Sequence, residues 1–377
     1  MAGIYIHIPY CKKRCVYCDF HFKISQKDKS EMINSIKLEL LENINYFKNK
    51  DVKTIYFGGG TPSIIDIKEI EDIIRLIYQK FKIKKYAEIT IECNPDDLTI
   101  NKIISYKKIG INRLSIGVQS FNDTELKFMN RSHNATQAYN SIIMAKENGF
   151  DNLSIDLIYG LPNQTLNDWK KNLLLIKKLK IEHFAAYCLT VETKTKLSHL
   201  VNTKKITPLD DYNVIKQFKL LQQFAKDNQY LHYEISNFAK KGSLAKHNSA
   251  YWQNKMYLGV GPSAHSFDGK KRSWNVSSNK KYIDAINNKL KNYFTVEYLS
   301  INQHYNEYIM TNLRTMWGVD IKIIENRFGE SLKNYFRKEI KKWINKNYVI
   351  NEKNNFKLSQ EGKMFANQIS SDIFLID

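Results

Sequence analysis

Three cysteines near the amino terminus have the spacing of a metal-binding loop. Cys11, Cys15 and Cys18 follow the pattern Cys-x3-Cys-x2-Cys directly after a short apolar run. Three thiolates in one loop can ligate three irons of a 4Fe–4S cluster and leave the fourth iron open to another ligand. Structural zinc generally uses two separated ligand pairs, although His7 and His21 are near enough to keep zinc as an alternative. The spacing favours the cluster.

The other two cysteines, Cys93 and Cys188, stand alone in the sequence. Five cysteines, an odd number with three in one loop, make a poor disulfide framework. We assign no role to Cys93 or Cys188, for which burial as a small apolar residue is the default. A second chemical motif is the triple glycine at residues 58–60, where backbone can approach a ligand closely. No Gly-Lys-Ser/Thr follows it, so it is not a phosphate loop.

Seven apolar, β-branched runs recur over the first part of the chain, with amphipathic Lys- and Glu-rich stretches between them. This alternation predicts βαβ units and a parallel sheet. Seven runs exceed what a small open sheet needs, so we expect an α/β fold with a partial or complete parallel TIM-type barrel. The runs cover residues 3–8, 54–57, 88–92, 113–118, 152–158, 183–189 and, less clearly, 230–235, and helices are expected at 30–47, 67–81 and 135–148.

Polar or glycine residues stand at the end of nearly every one of these runs. In a parallel barrel all strand carboxyl ends open on one mouth, where the site lies. Residues that are far apart in the sequence are therefore expected to converge there, although loops begin with polar residues in any case. The residues in question are Cys11, Gly60, Glu92, Gln119 and Asp156.

Taken together, these motifs resemble the radical S-adenosylmethionine (SAM) superfamily. More narrowly, the chain resembles the group that contains oxygen-independent coproporphyrinogen III dehydrogenase and a related heme chaperone. In the superfamily, SAM chelates the fourth iron, and an electron from the cluster cleaves it to a 5′-deoxyadenosyl radical. The resemblance spans nearly the whole chain and rests on residues 5–11, 58–63, 91–95, 115–121, 130–131 and 156–162.

The resemblance implies a set of cofactor-binding residues around the 4Fe–4S cluster on Cys11, Cys15 and Cys18. Carboxylates can hold the ribose hydroxyls or the amino group of SAM, and an arginine can hold its carboxylate through a charge-assisted pair. The plainer alternative for each carboxylate is a salt-bridged barrel residue. The residues expected to contact SAM are Tyr5, Tyr17, Gly60, Thr61, Glu92, Gln119, Arg131 and Asp156.

Two departures favour the heme-chaperone branch. The dehydrogenase has a further cysteine two residues after the triad, where this sequence has Phe20, and a long segment ahead of the cluster, where ten residues precede Cys11 here. The branch also carries a His-Asn-x-x-Tyr-Trp motif, implicated in heme binding and present at residues 247–252. A neutral imidazole such as that of His247 is a good axial ligand for heme iron. Alternatively, His247 is a surface loop residue and the two aromatic residues cap the barrel.

The function that the resemblance implies is a heme chaperone that binds heme, a 4Fe–4S cluster and SAM, and transfers heme to acceptor hemoproteins. The alternative is a radical SAM oxygen-independent coproporphyrinogen III dehydrogenase, against which Phe20 weighs. Heme-accepting hemoproteins are the expected partners, and a homodimer and a peripheral membrane contact stay open.

The net charge of +20 invites a third hypothesis, binding to nucleic acid. Only eight of the 58 basic residues are Arg, and the Lys excess is spread along the whole chain. This pattern indicates a compositional bias more than a polyanion surface, so no nucleic-acid partner is expected. No apolar stretch approaches the roughly 20 residues that span a bilayer. The amino terminus lacks the features of a signal peptide, so we expect a cytoplasmic protein.

Three regions are expected. Residues 1–237 form the barrel domain, residues 238–300 form a connecting region that carries the His-Asn-x-x-Tyr-Trp motif, and residues 301–377 form a small helical, winged-helix-like domain. Winged helices bind DNA or only pack against a neighbouring domain, and the lack of an Arg-rich recognition helix favours packing. The last region has expected helices at 309–317, 321–328 and 332–345 and a hairpin at 348–358.

Overall fold

The computed structural model describes residues 2–48 and 50–376, and its centre is one large sheet. Helices pack against this sheet, and further helices form most of the carboxyl-terminal part of the chain. The strands are β1 (Ala2–Ile8), β2 (Val52–Gly59), β3 (Ile83–Cys93), β4 (Arg113–Gln119), β5 (Leu153–Tyr159), β6 (His183–Cys188), β7 (Leu231–Glu234), β8 (Asn237–Ala239), β9 (Met256–Val260), β10 (His265–Phe267), β11 (Lys271–Asn275), β12 (Phe294–Tyr298), β13 (Val319–Asp320), β14 (Val349–Glu352) and β15 (Asn355–Leu358).

The helices alternate with the strands in the first half of the chain and dominate its end. They are α1 (Lys29–Glu42), α2 (Ile67–Lys80), α3 (Ile100–Lys108), α4 (Asp123–Phe128), α5 (Ala135–Glu147), α6 (Leu166–Lys178), α7 (Lys196–Asn202), α8 (Asp211–Asp227), α9 (Lys246–Trp252), α10 (Asn279–Asn287), α11 (Ile301–Leu313), α12 (Ile321–Phe328), α13 (Glu330–Asn345) and α14 (Ala366–Ser371). Among the described residues, no helix combines the length and apolarity needed to cross a bilayer.

The central sheet is parallel-rich, as the alternation of runs predicts. Its strand order is β12-β11-β10-β9-β1-β2-β3-β4-β5-β6-β8-β7, in which β9 and β1 to β6 are parallel. Antiparallel strands flank this parallel core on both sides. Strands β7 and β12 lie at opposite ends of the order and do not pair with each other, so this is the partial form of the expected barrel.

The spacing of the apolar residues, every second residue in strands and every third or fourth in helices, explains both element types. On β1, Ile4, Ile6 and Ile8 are buried on the face that packs against the helices, while Tyr5 and His7 point to the opposite face. Helices such as α2 bury one side through isoleucines at helical spacing, including Ile70, Ile73, Ile74 and Ile77. These side chains belong to one continuous hydrophobic core.

Two features of the sheet differ from the expected strand pattern. The seventh run, at residues 230–235, gives β7, which forms an antiparallel hairpin with β8 at the sheet edge instead of a parallel barrel strand. The region at 238–300 contributes four strands, among them β9, which pairs in parallel with β1. Strand β9 is only five residues long and contains Gly259, so its sequence lacks the long apolar run that marks the other parallel strands.

The carboxyl-terminal part has its own hydrophobic cluster, formed by α11 to α14 and a three-stranded sheet. Strands β14 and β15 form the hairpin, and Lys353 and Asn354 at its turn both have positive φ. Two consecutive residues with φ above zero match the twist of a two-residue hairpin. The order of helices followed by a hairpin agrees with a winged-helix-like module.

Candidate functional site

The cysteine loop follows the carboxyl end of β1 and is tied down at several points. The backbone N–H of Cys11 donates to the Lys23 carbonyl at 3.1 Å, and that of Val16 donates to the Met129 carbonyl at 3.2 Å. The Thr61 hydroxyl donates to the Cys11 sulfur at 3.3 Å. Cys11, Cys15 and Cys18 all line a single cavity of about 580 Å³.

Burial changes the acidity of two of these thiols. Desolvation raises the pKa of Cys11 to about 12, partly offset by the hydrogen bond from Thr61, and burial also raises the pKa of Cys18. A buried neutral thiol is a poor ligand, so metal binding would have to displace the protons. In the described residues, no group of three or more His, Cys, Asp or Glu side chains is placed to hold a single metal ion.

The glycine loop lies beside the cysteine loop because β2 pairs in parallel with β1. The N–H of Gly60 donates to the Ile8 carbonyl at 2.8 Å, and the N–H of Thr61 donates to the Tyr10 carbonyl at 2.7 Å. A Cβ atom on Gly60 would stand 2.6 Å from the Tyr10 carbonyl oxygen, so a side chain does not fit there. Gly60 thus allows two loops of the cavity to touch through their backbones.

Arg131 connects the cysteine loop to the strand ends. Its Nη2 donates to the Asn94 side chain at 2.6 Å and to the Gly117 carbonyl at 2.8 Å, while Nη1 donates to the Cys15 sulfur at 3.3 Å. Its Nε is buried without a hydrogen-bond partner in the described residues. A guanidinium that lines a cavity with one unsatisfied donor is suited to an anionic group such as a carboxylate.

Glu92 ends β3 in the wall of the same cavity. The hydroxyl of Tyr56, on β2, donates to its Oε1 at 2.7 Å. Burial raises the pKa of Glu92 to about 8, and the negative charge of Asp156 raises it further, against the lowering effect of the Tyr56 hydrogen bond. A carboxyl group at this position is therefore ready to pair with a cationic ligand that would lower its pKa again.

Asp156 and Gln119 complete the wall from β5 and β4. Burial raises the pKa of Asp156 to about 6, with Arg113 and Arg131 acting in the opposite direction. Gln119 has φ of +66°, a left-handed conformation that is uncommon for residues other than glycine. It coincides with an irregularity in the β4–β5 register. Such bulges re-aim a side chain, and here Gln119 lines the cavity.

The His-Asn-x-x-Tyr-Trp motif forms α9, away from the cavity wall. His247 is 3% exposed. Its Nδ1 is 2.8 Å from the Thr54 hydroxyl, and its Nε2 is 2.8 Å from the Tyr251 hydroxyl. Burial lowers the pKa of His247 to about 3, so the imidazole is neutral. The ring has the protonation state of a metal ligand, but both of its nitrogens are engaged in this conformation.

Comparison of the sequence with known proteins identifies the family of this chain. The sequence matches the model of the Radical SAM superfamily over residues 5–176 and that of the HemN C-terminal domain over residues 299–365. It is 33% identical over 371 residues to heme chaperone HemW of Bacillus subtilis, with 98% of each chain covered. The chain belongs to the HemW family of radical SAM proteins. Heme chaperone HemW of Lactococcus lactis is 31% identical, over 99% of this chain and 97% of its own length.

The fold of this HemW-family chain is also that of a solved radical SAM enzyme. Coproporphyrinogen III oxidase (HemN) from Escherichia coli superposes with a TM-score of 0.85 and covers 99% of this chain and 90% of its own. The two sequences are 20% identical, so this likeness shows the fold alone. Membership of the HemW family implies a 4Fe–4S cluster and SAM as cofactors.

Most of the residues expected at the site converge, although they come from six different stretches of the HemW-family sequence. Ten of the twelve line the cavity, whereas Tyr5 and His247 lie behind its wall, in contact with one another through stacked rings. The ten are Cys11, Cys15, Cys18, Tyr17, Gly60, Thr61, Glu92, Gln119, Arg131 and Asp156.

Sequence reasoning missed two residues that line the cavity, Asn94 and Tyr187, and one that contacts its wall from outside, Tyr56. Asn94 orients Arg131, Tyr56 holds Glu92, and Tyr187 at the end of β6 forms part of the wall. Asn94 stands in the Glu-Cys-Asn-Pro stretch at the end of a run, which was a usable signal. The sequence offered no such signal for Tyr56, because which side chains of β2 face the site depends on the register of this strand in the sheet. Phe20 also lines the cavity and is 75% exposed.

The donor set of this HemW-family site fits the implied cofactors. Three thiols share one loop, and a glycine backbone, two carboxylates, an amide and a guanidinium with a free donor surround the adjoining space. A ligand with an amino group, a carboxylate, a sulfonium and ribose hydroxyls finds a chemical complement for each of these groups here.

Proposed function

We propose that this chain is a heme chaperone that holds a 4Fe–4S cluster on Cys11, Cys15 and Cys18, binds SAM beside the cluster, and transfers heme to acceptor hemoproteins. The observation that carries the proposal is the full-length similarity to proteins named heme chaperone HemW, on a chain whose cavity has the matching donor set. On this proposal the protein acts in the cytoplasm.

Each side of the cavity has a separate task in this proposal. The three thiolates ligate three irons, and a bound cluster supplies an electron and one open coordination position. Arg131 holds the carboxylate of SAM through its unsatisfied Nε, and it is itself fixed by Asn94 and Gly117. Glu92 and Asp156 hold the amino group or the ribose hydroxyls. Tyr17, Gly60, Thr61 and Gln119 shape the remaining wall, and Tyr5 supports it from behind.

Heme is proposed to bind through His247. The neutral imidazole suits an iron ligand, and Tyr251 and Trp252 provide apolar faces nearby on the same helix. Because Nε2 contacts Tyr251 and Nδ1 contacts Thr54, ligation requires that one of these hydrogen bonds break. We infer that α9 shifts when heme binds.

The partners of this proposal are heme-accepting hemoproteins. A homodimer and a peripheral contact with an anionic membrane surface are further hypotheses, the second of which the net charge of +20 favours. Sedimentation of the reconstituted protein, with and without anionic vesicles, tests both.

The cluster and the heme are tested separately on anaerobically reconstituted protein. Replacing any one of Cys11, Cys15 and Cys18 by Ser should abolish the visible absorbance of the cluster, whereas Cys188→Ser, in the same cavity, should leave it intact. An unchanged spectrum in the three loop variants would remove the cluster from the proposal. Titrated heme should give a Soret band that weakens in His247→Ala, and equal heme affinity in this variant would remove His247 as the ligand.

A further inference from the structure

His247 lies behind the cavity wall, where hydrogen bonds and close packing hold both its backbone and its ring. The carboxylate of Glu88, near the start of the sheet-paired part of β3, accepts the backbone N–H groups of Lys246 and His247 at 3.1 and 3.0 Å and so anchors the first turn of α9. On β1, a Cβ atom on Gly3 would stand 3.2 Å from the imidazole ring and 2.6 Å from the Thr54 hydroxyl. The ring therefore occupies a slot that exists because residue 3 is glycine.

The imidazole of His247 packs face to face on the ring of Tyr56. The two ring centroids are 5.0 Å apart with an interplanar angle of 22°, and Tyr5 stacks on the same pair at 6.1 Å from Tyr56 and 6.4 Å from His247. On its other edge His247 meets Tyr251, with centroids 4.9 Å apart. Tyr56 consequently has aromatic rings against it that limit its rotation.

Tyr56 in turn contacts a residue of the cavity wall. Its hydroxyl donates to Oε1 of Glu92 at 2.7 Å. Glu92 lines the cavity beside Asp156 and Gly60. A continuous set of contacts thus runs from the Thr54 and Tyr251 hydroxyls through the imidazole and the Tyr56 ring to a carboxylate proposed to bind SAM.

We propose that His247 is a positioning residue for the SAM site, which acts by holding Tyr56 where it fixes the Glu92 carboxylate. The orientation of this carboxylate matters because a buried acceptor must meet its ligand within hydrogen-bond distance. Loss of the His247 ring leaves Tyr56 without its packing partner, and the Glu92 carboxylate loses its fixed direction.

A consequence follows that rests on the proposed function. If His247 ligates heme iron, the bond to Thr54 or to Tyr251 breaks and the ring leaves the face of Tyr56. Heme at His247 and SAM at Glu92 then weaken each other, and linkage requires that both affinities change by the same factor. The affinity of the motif at residues 247–252 for heme would thus depend on whether SAM is bound.

The positioning role is tested by SAM binding, measured by equilibrium dialysis of radiolabelled SAM against the anaerobically reconstituted protein. Tyr56→Phe removes only the hydroxyl bonded to Glu92, and His247→Gln removes the stacked ring. Both should weaken SAM binding by roughly fivefold or more, the usual scale of such coupling. His232→Gln is the matched control, since this half-buried histidine stacks on Phe238 and does not line the cavity, and its SAM affinity should stay within about twofold of the unaltered protein.

Cluster absorbance and circular dichroism identify variants that fail to fold. If His247→Gln does not fold, unaltered SAM affinity in Tyr56→Phe alone still overturns the role, because His247 is proposed to act only through the contact between Tyr56 and Glu92. Unaltered SAM affinity in folded Tyr56→Phe and His247→Gln, or an equal loss in His232→Gln, would overturn the positioning role.

The coupling to heme is measured by repeating the dialysis at saturating heme. The proposal expects the dissociation constant of SAM to rise by the factor by which SAM raises that of heme. Heme that binds with no change in SAM affinity would overturn the coupling and leave the proposed function standing. No heme binding at all would overturn the proposed function, while the variants without heme still judge the positioning role.

Discussion

At the scale of single residues, the cavity combines groups whose charge depends on what occupies it. Burial raises the pKa of Glu92 to about 8 and that of Asp156 to about 6. At a pH between these two pKa values, Asp156 is mostly ionised and Glu92 is mostly protonated. The free site therefore avoids two adjacent buried carboxylates, and it can gain a second negative charge when a cationic ligand arrives.

This difference predicts a pH dependence of SAM binding. A carboxyl group with a raised pKa is protonated below that pKa, so the anionic form that attracts SAM appears only as the pH rises towards 8. SAM affinity should increase by up to about tenfold per pH unit from about pH 6.5 to about pH 8 and then level off. Equilibrium dialysis across this range measures it.

The matched variant for this prediction is Glu92→Gln, which keeps the size and one acceptor but cannot ionise. Any titration of SAM itself remains in this variant, so only the difference between the two profiles belongs to Glu92. Parallel profiles for the two proteins would contradict the role of Glu92.

Residue types, their spacing and the family resemblance together predicted ten of the residues that line the cavity. The thiols, the glycine and the carboxylates each carry a distinctive chemistry at the end of a run, and the parallel sheet brings them together. Tyr56 was not predicted because its role is to orient another side chain, Glu92. Such a role depends on the register between strands and on rotamers, which no local pattern encodes.

At the scale of secondary-structure elements, α1 connects the strands that follow α9 to the parallel core. Glu39 on α1 is 3% exposed and accepts hydrogen bonds from the Tyr282 hydroxyl at 2.5 Å, the Gly261 N–H at 2.7 Å and the Asn275 side chain at 2.8 Å. One carboxyl group thus joins a helix of the barrel to α10, to the loop after β9 and to the end of β11.

We therefore expect Glu39→Ala to destabilise the fold strongly. The substitution removes the acceptor of three buried hydrogen bonds, which costs about 3 kcal/mol of unfolding free energy or more. Chemical denaturation followed by circular dichroism measures the loss. Glu42→Ala, on the same helix, removes a carboxylate paired with the exposed Lys291 and should cost less than about 1 kcal/mol. A loss of less than about 1 kcal/mol in Glu39→Ala as well would contradict the role of Glu39 in joining these elements.

The elements themselves were predictable where the apolar period is long and regular. Six parallel strands and helices α1, α2 and α5 agree with the expected runs. Strand β9 and the antiparallel direction of β7 were not predicted, because short strands with glycine or mixed polarity acquire their partner and direction from tertiary packing. The boundaries at residues 237 and 300 remain predictions, although strands on both sides of the first boundary share one sheet.

At the scale of the whole molecule, the net charge of +20 carries a prediction of its own. If the Lys excess is a compositional bias, binding to duplex DNA should be weak, fall steeply with salt and show no sequence preference. Fluorescence anisotropy with two unrelated duplexes of equal length, over a series of salt concentrations, measures this. A preference for one duplex that persists at high salt would instead favour a nucleic-acid function for the carboxyl-terminal module.

The central claim concerns the whole protein, in which a radical SAM cavity belongs to a heme-handling molecule. The most direct measurement is one anaerobic incubation of the reconstituted protein with SAM, one equivalent of heme and excess coproporphyrinogen III. The account predicts a Soret band from protein-bound heme and full recovery of the coproporphyrinogen III. Formation of protoporphyrinogen, or heme that stays unbound, would contradict it.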